Sequence, residues 1–178
     1  KKAGKGYYLR YRKIMEDLTI NPETYLQLKR AFMGGFTHAN ANYSGKLLHD
    51  VSSIDFTSSY PAVMVSEMFP MSRFRPVEIH DIETFNEYRK RHALIFDVRF
   101  TGLVSKITQE NYISESKCRN LIKPVIDNGR IFSAESMTTT LTEVDFNIME
   151  QCYTWEGFEI SNVKYAHKVY LPKPIIYS

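Results

Sequence analysis

Ser53-Ile54-Asp55-Phe56-Thr57-Ser58-Ser59-Tyr60-Pro61 is the stretch on which the reading of this chain turns. Val51 to Phe56 is an apolar, β-favouring run that predicts a strand, and it delivers one carboxylate, Asp55, to a Ser-rich turn. Beyond the turn, Tyr60 to Met68 predicts a helix that ends near Phe69-Pro70. Pro61 suits the first helical position, where its missing N–H would be unpaired anyway. A carboxylate set between a strand end and a helix start is a hard oxygen ligand suited to Mg²⁺. The turn amides and the helix N-terminus then face whatever phosphate the metal carries. A strand-ending Asp followed by serines is more often an ordinary cap or turn, and the Ser, Tyr and Pro at fixed offsets are what lift this one above that reading.

Working upstream, Asn21-Pro22-Glu23 combines a cap, a proline and an acid in the order of a helix start. Tyr25, Leu28 and Phe32 follow at helical spacing as an expected apolar face, with Gln27, Lys29 and Arg30 on the polar side. Gly34-Gly35 stops that helix, and paired glycines permit φ > 0 or a close approach of backbone to a ligand. The plainer reading is a helix C-cap. Residues 1–13 hold Lys1, Lys2, Lys5, Arg10, Arg12 and Lys13 with no acid, interleaved with Tyr7, Tyr8 and Tyr11. Cations beside stacking rings are the composition of a single-strand platform, and also of a solvated terminus. His38 has no Cys or His partner at ligand spacing and is not read as a zinc ligand.

Asp55-x-x-Ser58-x-Tyr60-Pro61 resembles motif A of family B DNA polymerases. Phe32-Met33-Gly34-Gly35-Phe36 resembles the Tyr-x-Gly-Gly motif of the protein-primed branch found in phages and related elements. The resemblance implies a DNA-directed DNA polymerase that starts synthesis on a terminal protein. In it, Asp55 would be one of two carboxylates holding catalytic Mg²⁺ or Mn²⁺, and the backbone carbonyl of Phe56 would coordinate too. Ser58, Ser59 and Tyr60 would line the deoxynucleoside triphosphate pocket, with Tyr60 excluding a 2′-hydroxyl. Ser59 stands where Leu is common in the family. Arg10, Arg12, Lys13, Arg30, Phe32, Met33, Gly34, Gly35 and Phe36 would bind single-stranded template or primer-template DNA. Phe32 stands where the motif has Tyr, which removes a hydroxyl contact and keeps a stacking ring. The family's Lys-x-x-x-Asn-Ser-x-Tyr-Gly helix, its Asp-Thr-Asp turn and its exonuclease carboxylates do not occur in these 178 residues. The chain alone is therefore not expected to polymerise or proofread.

Composition sets the outer limits. Hydrophobic content of 43% and charged content of 24% are ordinary for a globular protein, and no apolar run reaches the length of a membrane span. Cys118 and Cys152 are too few for a disulfide scaffold and fit a reducing cytoplasm, that of the host cell if a phage encodes the chain. Residues 1–75 hold 11 Lys and Arg against six Asp and Glu, whereas residues 76–178 hold 12 against 14. The nucleic-acid signal thus lies in the first part, where cations gain by releasing phosphate counterions. Both ends of the chain are expected to continue into a longer polypeptide.

From Arg73 onward the pattern changes to a mixture of strands, helices and loops. Phe74 to Ile79 predicts a short strand, Asp81 caps a helix through about His92, and Arg89-Lys90-Arg91 in its last turn complements the helix dipole. Ala93 to Val104 predicts a strand, and residues 105–120 a loop. Asp127-Asn128-Gly129-Arg130 predicts a hairpin turn. Thr142-Glu143-Val144-Asp145 predicts a capping box opening a helix to about Tyr153, and Trp155 to Leu171 a further strand. Asp97, Asp127 and Asp145 are read as a solvent-facing strand position, a turn and a cap. The fold class is α+β: a partial polymerase palm with an antiparallel sheet and helices, plus a small α+β insertion subdomain. The expected divisions are a connector over 1–45, a palm segment over 46–73, an insertion resembling the terminal-protein region over 74–171, and a continuation over 172–178. Two other classes remain open: a non-catalytic module that binds nucleic acid or protein, and a metal-dependent nuclease, which calls for further clustered carboxylates.

Overall fold

The structure, a computed structural model, describes residues 5–35, 37, 41–107 and 111–176. Helices α1 (Lys5–Asp17) and α2 (Pro22–Ala31) come first, and α3 (Ser59–Ser66) precedes strands β1 (Met68–Pro70) and β2 (Arg75–Pro76). Helix α4 (Ile82–Arg91) runs into the long β3 (His92–Ser105), followed by β4 (Arg119–Ile122), β5 (Val125–Asp127) and β6 (Arg130–Thr142). Helix α5 (Glu143–Cys152), β7 (Tyr153–Thr154), β8 (Gly157–Tyr170) and α6 (Lys173–Ile176) complete the chain.

The spine of the sheet runs β1-β8-β3-β6-β4, with every recorded pairing antiparallel, so the α+β class is as expected. Asn128 and Gly129 both take positive φ, 48° and 73°, the geometry of a two-residue hairpin turn whose twist suits the flanking β5 and β6. Asp81 accepts the Thr84 amide at 2.7 Å to start α4. Thr142 and Asp145 form a reciprocal capping box at the start of α5. The strand expected over Phe74 to Ile79 shrinks to Arg75–Pro76, because only those residues align with Tyr165 and Lys164 of β8. The helix expected to reach Met68 stops at Ser66, since Met68 to Pro70 pair with Lys168 to Tyr170 instead.

Alternation along β3 splits the sheet into two unlike faces. Leu94, Phe96, Val98 and Phe100 pack with Phe85 of α4 and Phe146 and Met149 of α5, all buried. Phe85 meets Phe96 and Phe146 edge-on at 5.1 and 5.3 Å between ring centres. Arg89 of α4 is held across this layer by Glu150 at 2.6 Å and sits over the Phe146 ring at 5.3 Å, so its role is structural. The opposite face carries buried Ala93 and Ile95 at one end and is otherwise polar. Asp97, expected to face solvent, is tied to Arg119 at 3.0 Å, Thr140 at 2.5 Å and Asn162 at 3.3 Å. Burial works against its charge, but those three donors outweigh it and hold the carboxyl below the ordinary range.

Candidate functional site

Helix α2 covers this face of the sheet with Gln27 turned inward and Tyr25 and Phe32 outward, against expectation, while Lys29 and Arg30 stay exposed as expected. Thr24, Gln27 and Ala31 are the buried positions, while Tyr25 and Phe32 are 54% and 69% exposed. The cause lies in what α2 meets. A bulge lets Phe96 of β3 oppose both Asn162 and Val163 of β8, and Gln27 donates to the freed Asn162 carbonyl at 2.8 Å. Lys164, buried on the same face, reaches Glu23 at 2.7 Å. A polar sheet face selects the polar side of the helix. The aromatic side, with Lys29 and Arg30, is turned outward.

Past α2 the chain runs through Phe32, Met33, Gly34 and Gly35. Met33 packs against the hydrophobic core and anchors the segment. Neither glycine takes positive φ, which corrects one of the two reasons for expecting glycine there. A Cβ at either would meet nothing within 4 Å, so no part of the described chain presses on this backbone. The segment instead borders an open cavity of about 620 Å³, whose far wall is Tyr112, Ser114, Lys117, Arg130 and Asp145. Tyr112 donates to Asp145 at 2.6 Å, and burial together with that carboxylate drives its phenol well above the usual range. Lys117 and Arg130 come from the stretch read only as loop and hairpin. Their placement here depends on a long-range fold, and no local spacing signals it.

Val51 to Phe56 forms no strand. Among the described residues every strand finds its partner between Met68 and Tyr170, and none pairs with this run. Its side chains are outside: Ile54 is 90% exposed and Phe56 82%. Asp55 makes no hydrogen bond or ion pair among the described residues. A turn at Thr57-Ser58 follows, with Ser58 in the left-handed region at φ 56°, ψ 37°. Helix α3 therefore begins at Ser59, and Pro61 is its third residue, still within the turn whose N–H groups lack helical partners. The Ser58 carbonyl accepts from Ala62 at 2.9 Å, but its hydroxyl caps nothing. No residue of α3 is buried, and Tyr60 is 85% exposed.

Residues Arg10, Arg12 and Lys13 lie exposed on the helix α1. Arg12 pairs with Glu16 at 2.8 Å. Phe36, like Lys1, Lys2 and His38, lies outside the described residues. The expected site residues thus occupy three places: α1, the α2 to Gly35 segment, and the Asp55 turn. Among the described residues no group of three or more His, Cys, Asp or Glu could hold a metal, and no helix is long and apolar enough to cross a membrane. Asp55 and the Phe56 carbonyl are the right hard donors for Mg²⁺, but two oxygens leave most of a six-coordinate shell unfilled.

Comparison with known proteins gives a consistent picture. The family model described as DNA polymerase type B, organellar and viral, matches residues 5–174. No curated protein matches. Among solved structures, phi29 DNA polymerase complexed with primer-template DNA and incoming nucleotide substrates is similar with a TM-score of 0.68 at 20% identity. The phi29 polymerase binary complex with primer-template DNA gives 0.64 at 19%. An orthorhombic crystal form of phi29 DNA polymerase gives 0.56 at 20%. Each similarity covers 93% of this chain and 28% of that one.

Proposed function

Because this chain belongs to the organellar and viral type B DNA polymerases, we propose that it is the part of a protein-primed DNA polymerase that carries motif A, the Gly-Gly template loop and the terminal-protein-contacting insertion. The observation that carries the proposal is order within a shared fold. The Phe32 to Gly35 segment, the Asp55 turn, α3 and the β1 to β8 sheet succeed one another along a chain whose fold overlaps phi29 DNA polymerase over 93% of its length. In this reading residues 1–45 connect from an exonuclease domain and 46–73 belong to the palm. Residues 74–171 are the insertion, and 172–178 lead onward.

Asp55 and the Phe56 carbonyl would hold Mg²⁺ or Mn²⁺ together with a second carboxylate that the described residues do not supply. The bound metal supplies the charge that activates a 3′-hydroxyl and stabilises the departing pyrophosphate. The chain's own contributions are placement and shape. Ser58 and Ser59 put the first-turn amides of α3 beside the incoming triphosphate, and the Tyr60 ring closes the sugar pocket against a 2′-hydroxyl. Arg10, Lys13 and Arg30 meet phosphates by charge, while Phe32 offers a ring to an unstacked base. The exposed α3 supports this reading too, since between its terminal serines it is apolar on every side, and such a helix belongs in an interior. Its covering would come from the remainder of the polymerase, in the host-cell cytoplasm.

The test uses the complete polymerase. Asp55→Ala is expected to abolish both primer extension and nucleotide addition to the terminal protein while leaving primer-template affinity intact. Extension at the normal rate by that variant would overturn the assignment.

A further inference from the structure

The outward turn of α2 creates a feature that motif A does not use. Between α2 and the segment 116–119 lies a groove of about 350 Å³, lined by Leu26, Lys29, Arg30, Lys117, Cys118 and Arg119 with Ser116. Four of its seven lining residues are cations and none is a carboxylate. Lys29, Arg30 and Lys117 have no ion-pair partner among the described residues. Arg119 is fixed from behind: a single terminal nitrogen serves both Asp97 and Thr140, at 3.0 and 3.3 Å. Its other guanidinium N–H groups stay available to an oxyanion. Three of these cations have no counter-charge and the fourth shares Asp97 through one nitrogen only, so the cleft carries an excess of positive charge that a polyanion relieves most effectively. The groove shares Ser116 and Lys117 with the 620 Å³ cavity beside Gly34 and Gly35, so the two openings adjoin. In that cavity Asp145 is already engaged by Tyr112 and by the Thr142 cap, which leaves its charge partly satisfied.

We propose that this groove holds the sugar-phosphate backbone of a single DNA strand, continuing a strand path from the Gly34-Gly35 segment onto the insertion. The inference rests on the reading of this chain as part of a DNA polymerase, and it adds Lys29, Lys117 and Arg119 as phosphate-contacting residues. A single strand fits better than a duplex, because exposed Leu26, Tyr25 and Phe32 flank the cations with apolar surface that unstacked bases can use. Lys29 and Lys117 sit on opposite walls, on α2 and on the insertion. A bound strand therefore bridges the two.

Fluorescence anisotropy of a labelled oligo(dT) with the 178-residue chain tests the proposal, over roughly 50 to 200 mM salt. For single strands each phosphate contact contributes about 0.7 to the slope of log affinity against log salt. Lys29→Ala with Lys117→Ala is therefore expected to flatten the slope by about 1.4. Lys90→Ala, on α4 outside the groove, is expected to leave it unchanged. Lys29→Arg with Lys117→Arg should retain the native slope, which separates lost charge from lost folding. A double alanine variant that keeps the wild-type slope overturns the proposal. So does a chain that ignores oligo(dT), or one that binds polyglutamate in its place. Primer extension by the Asp55 variant reads a different property, so the groove and the polymerase assignment fail independently.

Discussion

Phe96 and Phe56 both sit in apolar runs with β-favouring neighbours, yet Phe96 is wholly buried while Phe56 is 82% exposed. Between Met68 and Tyr170 each strand has partners on hand, and α4 and α5 close the apolar face over Phe85, Phe146 and Met149. The stretch around Asp55 has comparable residues and pairs with no strand among the described residues. Leu47, Val51, Ile54, Phe56 and Tyr60 all remain outside. Strand propensity is a statement about fitting a pleated, half-buried surface, and without a second strand there is none to fit. The pattern in residues 51–56 describes an environment that the described part of this chain does not provide.

Truncating one aromatic in each region puts the contrast to its hardest test. Phe146 lies within 5.3 to 6.2 Å, centre to centre, of Phe85, Phe158, Trp155, Phe96 and Phe100. Phe146→Ala is expected to cost about 3–5 kcal/mol in urea unfolding of the 178-residue chain. Phe56→Ala should change stability by no more than about 0.5 kcal/mol. A comparable loss from Phe56→Ala would mean that the Asp55 segment packs in solution, and the contrast would collapse.

The same contrast explains what the sequence revealed. The Asp127-Asn128-Gly129-Arg130 turn, the Asp81 cap and the Thr142 to Asp145 capping box are local devices, each completed within four residues, and each is present as read. The apolar face of α2 was misassigned, because Tyr25, Leu28 and Phe32 obey helical spacing while the surface waiting for the helix is polar. That surface is assembled from Asp97, Arg119, Asn162 and Lys164, drawn from three distant strands. Periodicity cannot announce which face a sheet will offer. Lys117 and Arg119 were unreadable for the same reason, since only folding brings them opposite Lys29 and Arg30.

The Asp97 network offers a test of intermediate size. Asp97→Ala leaves the partly buried Arg119 without its carboxylate and is expected to cost about 1–3 kcal/mol. The loss should also carry a pH signature. The folded carboxyl titrates below its unfolded value near 3.9, so its contribution is complete above that pH and disappears as pH falls through the folded pKa. The stability gap between wild type and variant is thus expected to be flat from about pH 5 to 8 and to narrow below about pH 4. A gap that stays constant into acid would assign the effect to packing rather than charge.

The smallest effect compares two helix starts, one from each region. Thr142 accepts the Asp145 amide at 3.2 Å, and Asp145 accepts the Thr142 amide at 3.0 Å, so two otherwise unpaired donors are satisfied at the start of α5. Ser58 precedes α3 in a left-handed conformation with no cap bond from its hydroxyl. Thr142→Ala should therefore cost about 1 kcal/mol, whereas Ser58→Ala should shift stability by at most a few tenths. Chemical denaturation of both variants reads the difference directly. A Ser58→Ala loss matching that of Thr142→Ala would require the hydroxyl to be bonded in solution, and the turn after Asp55 would then be a built element.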